Sequence, residues 1–173
     1  VHNLIVGITN TGKSNLCKNF SITEKQVIIF DPMQSTGWSD NAVKFSDPAK
    51  FFEYVKQQKS ALIFCDEARK FWEDGFQSEA DALLTRGRHD GHLLFLISQR
   101  AKMIPPNARS MCSRVYAFRQ NVDDSIALAQ EYHTNLRKCT ELGKAEFIAS
   151  DGFHAVKFKL NYDNFPPKPE KIK

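Results

Sequence analysis

Leu4-Ile5-Val6-Gly7-Ile8-Thr9-Asn10-Thr11-Gly12-Lys13-Ser14 is the stretch that decides the fold. Three apolar residues of strand type run straight into G-x-x-x-x-G-K-[ST], the spacing of a phosphate-binding P-loop. Glycines let successive backbone amides curl inward into a nest of N–H donors for an anion. A helix expected from Lys13 to Phe20 turns its positive end on the same anion. This reading assigns Gly7, Ile8, Thr9, Asn10, Thr11, Gly12, Lys13, Ser14 and Asn15 to the phosphates of a nucleoside triphosphate. Lys13 would reach the β- and γ-phosphates, and the Ser14 hydroxyl would ligate Mg²⁺. A glycine-rich turn without a nucleotide is the competing reading. The position of the motif, between a strand-like and a helix-like run, argues against it.

Working outward, Ala61-Leu62-Ile63-Phe64-Cys65-Asp66-Glu67 sets two carboxylates at the end of a fully apolar run. In open α/β sheets ligands bind beyond the carboxyl ends of the strands. Asp66 is suited to hold Mg²⁺ and Glu67 to polarise a water for attack on the γ-phosphorus. A paired Asp-Glu favours hydrolysis over transfer to an acceptor. Leu93-Leu94-Phe95-Leu96-Ile97-Ser98-Gln99 supplies the third tip, where the Gln99 amide can report on the γ-phosphate or the attacking water. Standing alone, Gln99 is equally readable as a loop-start glutamine.

The remaining segments alternate between strand and helix patterns, which predicts an α/β fold with a mainly parallel sheet. Gln26–Phe30 reads as a second strand, closed by Asp31-Pro32. Asp47 with Pro48 reads as a helix start, and Ser78–Arg86 as a further helix. Arg114–Arg119 reads as a strand, Asp123 to Tyr132 and Asn135–Leu142 as helical stretches. Ala145–Ala149 and His154–Leu160 flank Ser150-Asp151-Gly152-Phe153, a hairpin signal. Residues 1–162 are expected to form one domain and 163–173 an extended Pro- and Lys-rich tail.

Composition adds bounds. At 42% hydrophobic and 25% charged residues the chain is ordinary for a globular protein. No apolar stretch approaches the ~20 residues of a membrane span, and no signal peptide is visible. Numbering starts at Val1, so an upstream segment is compatible with the sequence. Cys17, Cys65, Cys112 and Cys139 form no C-x-x-C pair, which predicts buried reduced thiols in a cytosolic setting rather than a zinc site. The net charge of +4 permits a polyanionic partner without requiring one.

Arg88-His89-Asp90-Gly91-His92, followed by the apolar run to Gln99-Arg100, resembles the "R-x-x-G-h … Q-R" segment of the FtsK–HerA superfamily of DNA-pumping ATPases. Lys102 through Arg109 and Ser113 through Arg119 look like the segment after that strand, and Asp123-Asp124-Ser125 has a counterpart there. The likeness spans roughly residues 3–125. It implies a RecA-like P-loop fold and ATP rather than another nucleotide, since no N-K-x-D base-reading motif is present. The short length resembles the genome-packaging ATPases of membrane-containing icosahedral viruses. That branch implies a homo-oligomeric ring, expected to be a hexamer, that moves double-stranded DNA. Its partners would be a capsid vertex or membrane-associated packaging proteins, and its location the host cytoplasm or the virion packaging vertex. The family's arginine finger, acting across a subunit boundary, falls on Arg88, with Arg86, Arg114 and Arg119 as rivals.

Other residues carry weaker signals. His89 and His92 read as structural or DNA-proximal. Trp38 and Trp72 read as packing residues, Trp38 with the option of exposure in its polar loop. The loop 68–77 and the segment 102–109 are candidates for gripping DNA phosphates. Three rival functions remain at this stage. A morphogenesis ATPase of the filamentous-phage export type would need a membrane segment. A small-molecule kinase would need a lid with paired arginines and an acceptor pocket. A nucleotide switch would turn over slowly and ignore DNA.

Overall fold

Apolar runs long enough for a strand and short of a helix build the centre of the molecule. The computed structural model describes residues 2–22, 25–161 and 164–170, the last stretch by its backbone. Its strands are β1 (His2–Val6), β2 (Val27–Phe30), β3 (Val43–Phe45), β4 (Leu62–Cys65), β5 (Leu93–Ser98), β6 (Cys112–Ala117), β7 (Glu146–Ser150), β8 (Ala155–Asn161) and β9 (Asn164–Glu170). They form a sheet in the order β3-β2-β4-β5-β1-β6-β7-β8-β9. The pairs from β3 to β6 are parallel, and those from β6 to β9 antiparallel. β1, β2 and β4 are buried along their whole length, as strands covered on both faces must be.

The period of two sorts the side chains between two cores. Leu4, Val6, Ile28, Phe30, Ile63 and Cys65 face one cluster, and Ile5, Val27, Ile29, Leu62 and Phe64 face the other. The first cluster packs against α2 (Pro48–Val55), α3 (Lys70–Glu73), α4 (Gln77–Arg86), α5 (Pro106–Ser110) and α6 (Val122–Glu131), through Phe51, Phe71, Leu84, Ala108 and Leu128 among others. The second packs against α1 (Lys13–Phe20) through Leu16 and Cys17. The expected α/β class with a RecA-like sheet and a C-terminal hairpin is the observed architecture.

Several local expectations hold for their stated reasons. Asp47 caps α2 by accepting from the Lys50 amide at 2.9 Å, with Pro48 in the first turn. At the hairpin, the Asp151 carboxylate accepts from the amides of Phe153 and His154 while Gly152 takes φ 91°. All four cysteines are buried and unpaired.

Other segments differ from expectation or settle readings the sequence left open. Thr134–Glu141 is 3₁₀ rather than α-helical. Leu136, Cys139 and, just beyond its end, Leu142 are buried at every third position, which suits three residues per turn. β3 is a short edge strand with no apolar run to announce it. The segments 68–77 and 102–109 are structured: α3 occupies one, and a 3₁₀ turn (Ala101–Met103) with the start of α5 occupies the other. Trp38 is 4% exposed, its indole N–H donating to Asp31 at 3.0 Å, so it cannot stack on a base. His92 is buried and accepts from the Ala61 amide, a structural role. The tail is extended from Asn164 to Glu170 and pairs with β8; residues 162, 163 and 171–173 lie outside the described residues. An edge position tolerates the missing N–H groups of Pro166, Pro167 and Pro169.

Candidate functional site

The loop between β1 and α1 is fastened at three levels. At its base the Gly7 amide donates to Ser98 O at 3.3 Å and the Ile8 amide to Arg119 O at 2.9 Å. A Cβ on Gly7 would lie 2.5 Å from the Phe118 Cβ, so only glycine fits between β1 and β6. Higher up, Thr11 Oγ1 donates to Ile8 O at 2.8 Å, and the Thr11 carbonyl accepts from the Ala145 amide at 2.9 Å. At the top, Asn10 and Gly12 take positive φ of 62° and 113°, the turn that aims successive amides at one point. The first turn of α1 has no side-chain cap and no acidic residue. Its N–H groups and positive end are open to an anion.

A cavity of about 600 Å³ lies over this loop, lined by Thr9, Asn10, Thr11, Gly12, Lys13, Ser14, Asn15, Asp66, Glu67, Gln99 and Lys144. Three strand tips, behind β1, β4 and β5, therefore meet as the sequence predicted. Gly7 and Ile8 anchor the loop from below and do not line the cavity. Arg88 is exposed in the turn before β5, at the opposite end of that strand from Gln99, where its Nη2 donates to Met111 O at 2.6 Å. It does not line its own chain's cavity.

The charges in the cavity are held against burial. Lys13 Nζ donates to the carbonyls of Gly7 and Ile8, bonds with which a phosphate would compete. Burial lowers its pKa from the ordinary lysine value. Burial, then the negative charge of Asp31, pushes the Asp66 carboxyl up to about 6. Asp31 itself is pushed up by burial but held lower overall by the Ser35 hydroxyl, the Trp38 indole and the backbone amides of Ser35 and Met33. Glu67 is left-handed at φ 51°, and its carboxylate accepts from Gln99 Nε2 at 2.9 Å and Arg69 Nε at 3.1 Å.

Ser14 and Asp66 fit a magnesium ion that arrives with a nucleotide. Such an ion takes one or two protein oxygens and fills its remaining positions with phosphate and water. A buried carboxylate whose ionisation is opposed by a neighbouring acid is relieved by a divalent cation. Among the described residues no group of three or more His, Cys, Asp or Glu side chains forms a self-sufficient metal centre.

Sequence reasoning missed three contributors. Lys144 enters the cavity from the turn before β7, and no local pattern marks it. Asp31 was visible only as the terminator of its strand. Gln120 braces the β5 tip, donating to Gln99 O at 3.2 Å and accepting from the Ala101 amide at 3.3 Å. The matched Asp124 fixes the chain just after β5, accepting from Arg100 Nε and the Lys102 amide, both at 2.8 Å. Within 102–109, Lys102 is exposed, but Arg109 is withdrawn from the DNA-grip expectation. It is 5% exposed, ion-paired with Glu131, and donates to the carbonyls of Ala101 and Ile104. A side chain so enclosed cannot reach a phosphate. Arg69, in the other candidate segment, is engaged by Glu67 and Glu73.

Strand order, P-loop and three converging tips define a P-loop ATPase fold of the FtsK–HerA type. The family model described as zonular occludens toxin (Zot) matches residues 18–163. The chain belongs to the Zot family. Among solved structures it is similar to B204, the DNA-packaging ATPase from Sulfolobus turreted icosahedral virus, with TM-score 0.76 and 19% identity over 93% of this chain and 98% of that one. The genome-packaging NTPase B204 of Sulfolobus turreted icosahedral virus 2, in complex with AMPPCP, gives 0.71 and 16% over 90% and 95%. The N-terminal domain of zonular occludens toxin from Neisseria meningitidis gives 0.53 and 13% over 99% and 94%. No curated protein matches the chain.

Proposed function

We propose that this chain is the motor domain of a filamentous-phage-type morphogenesis ATPase, hydrolysing ATP to move DNA during export. One observation carries the reading: Lys13, Ser14, Asp66, Glu67 and Gln99 come from three separate segments and line a single cavity. The loop amides and Lys13 take the phosphates, and Ser14 and Asp66 hold Mg²⁺. The ion, when bound with the nucleotide, neutralises charge on the β- and γ-phosphates. Glu67 accepts the proton of the attacking water, and Gln99 orients that water or touches the γ-phosphate. Arg88 is exposed and outside its own cavity, which supports a role across a boundary in a homo-oligomeric ring, taken as a hexamer.

Membership of the Zot family favours the export reading over capsid packaging, which the sequence alone had put first. Packaging of double-stranded DNA, with partners at a capsid vertex or among membrane-associated proteins in the host cytoplasm, is the second reading. The end-to-end likeness to B204 supports it. No helix among the described residues is long and apolar enough to cross a membrane.

The test is ATP hydrolysis with no DNA, single-stranded DNA and duplex DNA, on protein whose mass in solution is known. Phosphate release stimulated by DNA supports a motor. Slow turnover indifferent to DNA would replace it with a nucleotide switch, and phosphate delivered to an acceptor with a kinase.

A further inference from the structure

Both oxygens of the Glu67 carboxylate are engaged by protein donors. Gln99 Nε2 donates to Oε1 at 2.9 Å and Arg69 Nε to Oε2 at 3.1 Å. The same guanidinium donates from Nη1 to Glu73 Oε1 at 3.2 Å, so Arg69 is held between two acids on either side of it. Its place is set by the core. Arg69 is the residue before α3, and Phe71 of that helix is 1% exposed, packed on the rings of Phe30, Phe51 and Phe52. The Glu67 backbone completes the arrangement. A non-glycine residue keeps a φ of 51° only where its surroundings hold it there.

This network bears on both roles given to the tips of β4 and β5. To activate water, Glu67 must direct a lone pair at a molecule beside the γ-phosphorus. To read the γ-phosphate, Gln99 must direct its amide there. In this structure the amide of Gln99 is directed at Glu67, and Glu67 at Gln99 and Arg69. A diphosphate brings no acceptor to compete for the Gln99 amide, whereas the γ-phosphate of a triphosphate does, and the water beside it is the donor that would draw on Glu67.

Resting on the hydrolytic reading of Glu67 and Gln99, we propose that Arg69 is a positioning residue that restrains the Glu67–Gln99 pair against recruitment by a γ-phosphate. Arg69 does not line the cavity. It acts by setting the cost at which the pair is drawn away, and so lowers the preference for a triphosphate over a diphosphate and slows commitment to hydrolysis. Its removal frees one oxygen of Glu67 and leaves the P-loop untouched.

The experiment compares the wild-type chain with Arg69→Met and Arg69→Lys, titrating ADP and a β,γ-methylene analogue of ATP in the presence of magnesium, alongside steady-state hydrolysis. Arg69→Met is expected to raise the ratio of analogue affinity to ADP affinity by about fivefold, the scale of a modest coupling, and to raise kcat. Arg69→Lys, which keeps the charge but loses the fork, should fall between. A purely structural role would lower the melting temperature and leave the ratio unchanged. An unchanged ratio with both nucleotides bound, or a fall in kcat, overturns the proposal. Failure of the wild-type chain to bind any nucleotide removes the site reading, and this proposal with it. If the wild type binds but does not hydrolyse, the motor reading falls and the affinity ratio alone decides the role of Arg69.

Discussion

Gln99 Nε2 lies 2.9 Å from Glu67 Oε1, joining the tips of two neighbouring parallel strands, β5 and β4. The pair is the direct link between the residue suited to activate water and the residue suited to detect what the water attacks. A change at either end should therefore separate binding from turnover.

Glu67→Gln should leave ADP affinity within about twofold of wild type and cut turnover by ~100-fold or more, the scale of losing a general base. Phosphate release and equilibrium binding of ADP measure the two quantities. Turnover near the wild-type rate would remove Glu67 from the chemistry.

Arg88→Ala should bind nucleotide normally and lose hydrolysis, because Arg88 lies outside its own chain's cavity. Mixing it with Glu67→Gln is the informative assay. A subunit with intact Glu67 would then receive Arg88 from its neighbour, and part of the lost activity should return. Two inactive variants that stay inactive when mixed would argue against action in trans.

Asp66→Asn should raise the melting temperature near pH 7.5 and change it little near pH 4. The folded-state pKa, about 6, is above the ordinary value of 3.8. The folded chain thus holds a proton where the unfolded chain has lost it. That stabilising contribution is complete below the unfolded value and is lost as pH rises through about 6. His2 works oppositely: burial lowers it from 6.5 to about 4, so stability falls as pH drops through that window. His2 is common to both proteins and cancels in the difference between their melts. Magnesium with nucleotide should stabilise wild type more than the variant, since ionised Asp66 is the cation's partner.

Gly12→Ala should destabilise the fold by about 1–3 kcal/mol and weaken nucleotide binding together. Gly12 has φ 113°, and an added Cβ would meet Leu160 at 3.1 Å and Phe118 at 3.2 Å. Thermal melts and analogue titration report both losses. A variant that melts like wild type would contradict the close packing of the P-loop on β8.

Arg109→Ala should lower stability by about 1–3 kcal/mol, because the Ala101 and Ile104 carbonyls lose their buried donor, whereas Glu131 is exposed enough to be rehydrated. Denaturant unfolding tests it. DNA affinity measured below the melting temperature should be unchanged, which separates this residue from a DNA-gripping role.

Much of the site is readable from the chain because its parts are local. The apolar run ending at Val6, the glycine spacing that follows and the helix start at Lys13 lie within a few residues of one another. Apolar runs closed by Asp66-Glu67 and by Gln99 are equally compact signals. The stretch before β7 was legible as helical but not as 3₁₀, because a few apolar residues at a spacing of three do not by themselves separate three residues per turn from 3.6. Arg109 was misread because a basic residue in a Pro-rich segment looks solvent-facing until its partner, Glu131 on α6, is known.

From sequence alone came the identity of the phosphate-binding loop, the alternation that makes an α/β sheet, and the candidates at three strand ends. These follow from backbone conformational preference and from hydrophobic period, both properties of neighbouring residues. Tertiary structure alone decided the order in which strands lie side by side, which is what brings the expected tips over one cavity. It also decided that Glu67 is held by Arg69 and Gln99, that Lys144 enters from a distant turn, and that Arg109 is enclosed. Such pairings depend on how whole elements pack, and no local pattern in the chain carries that information.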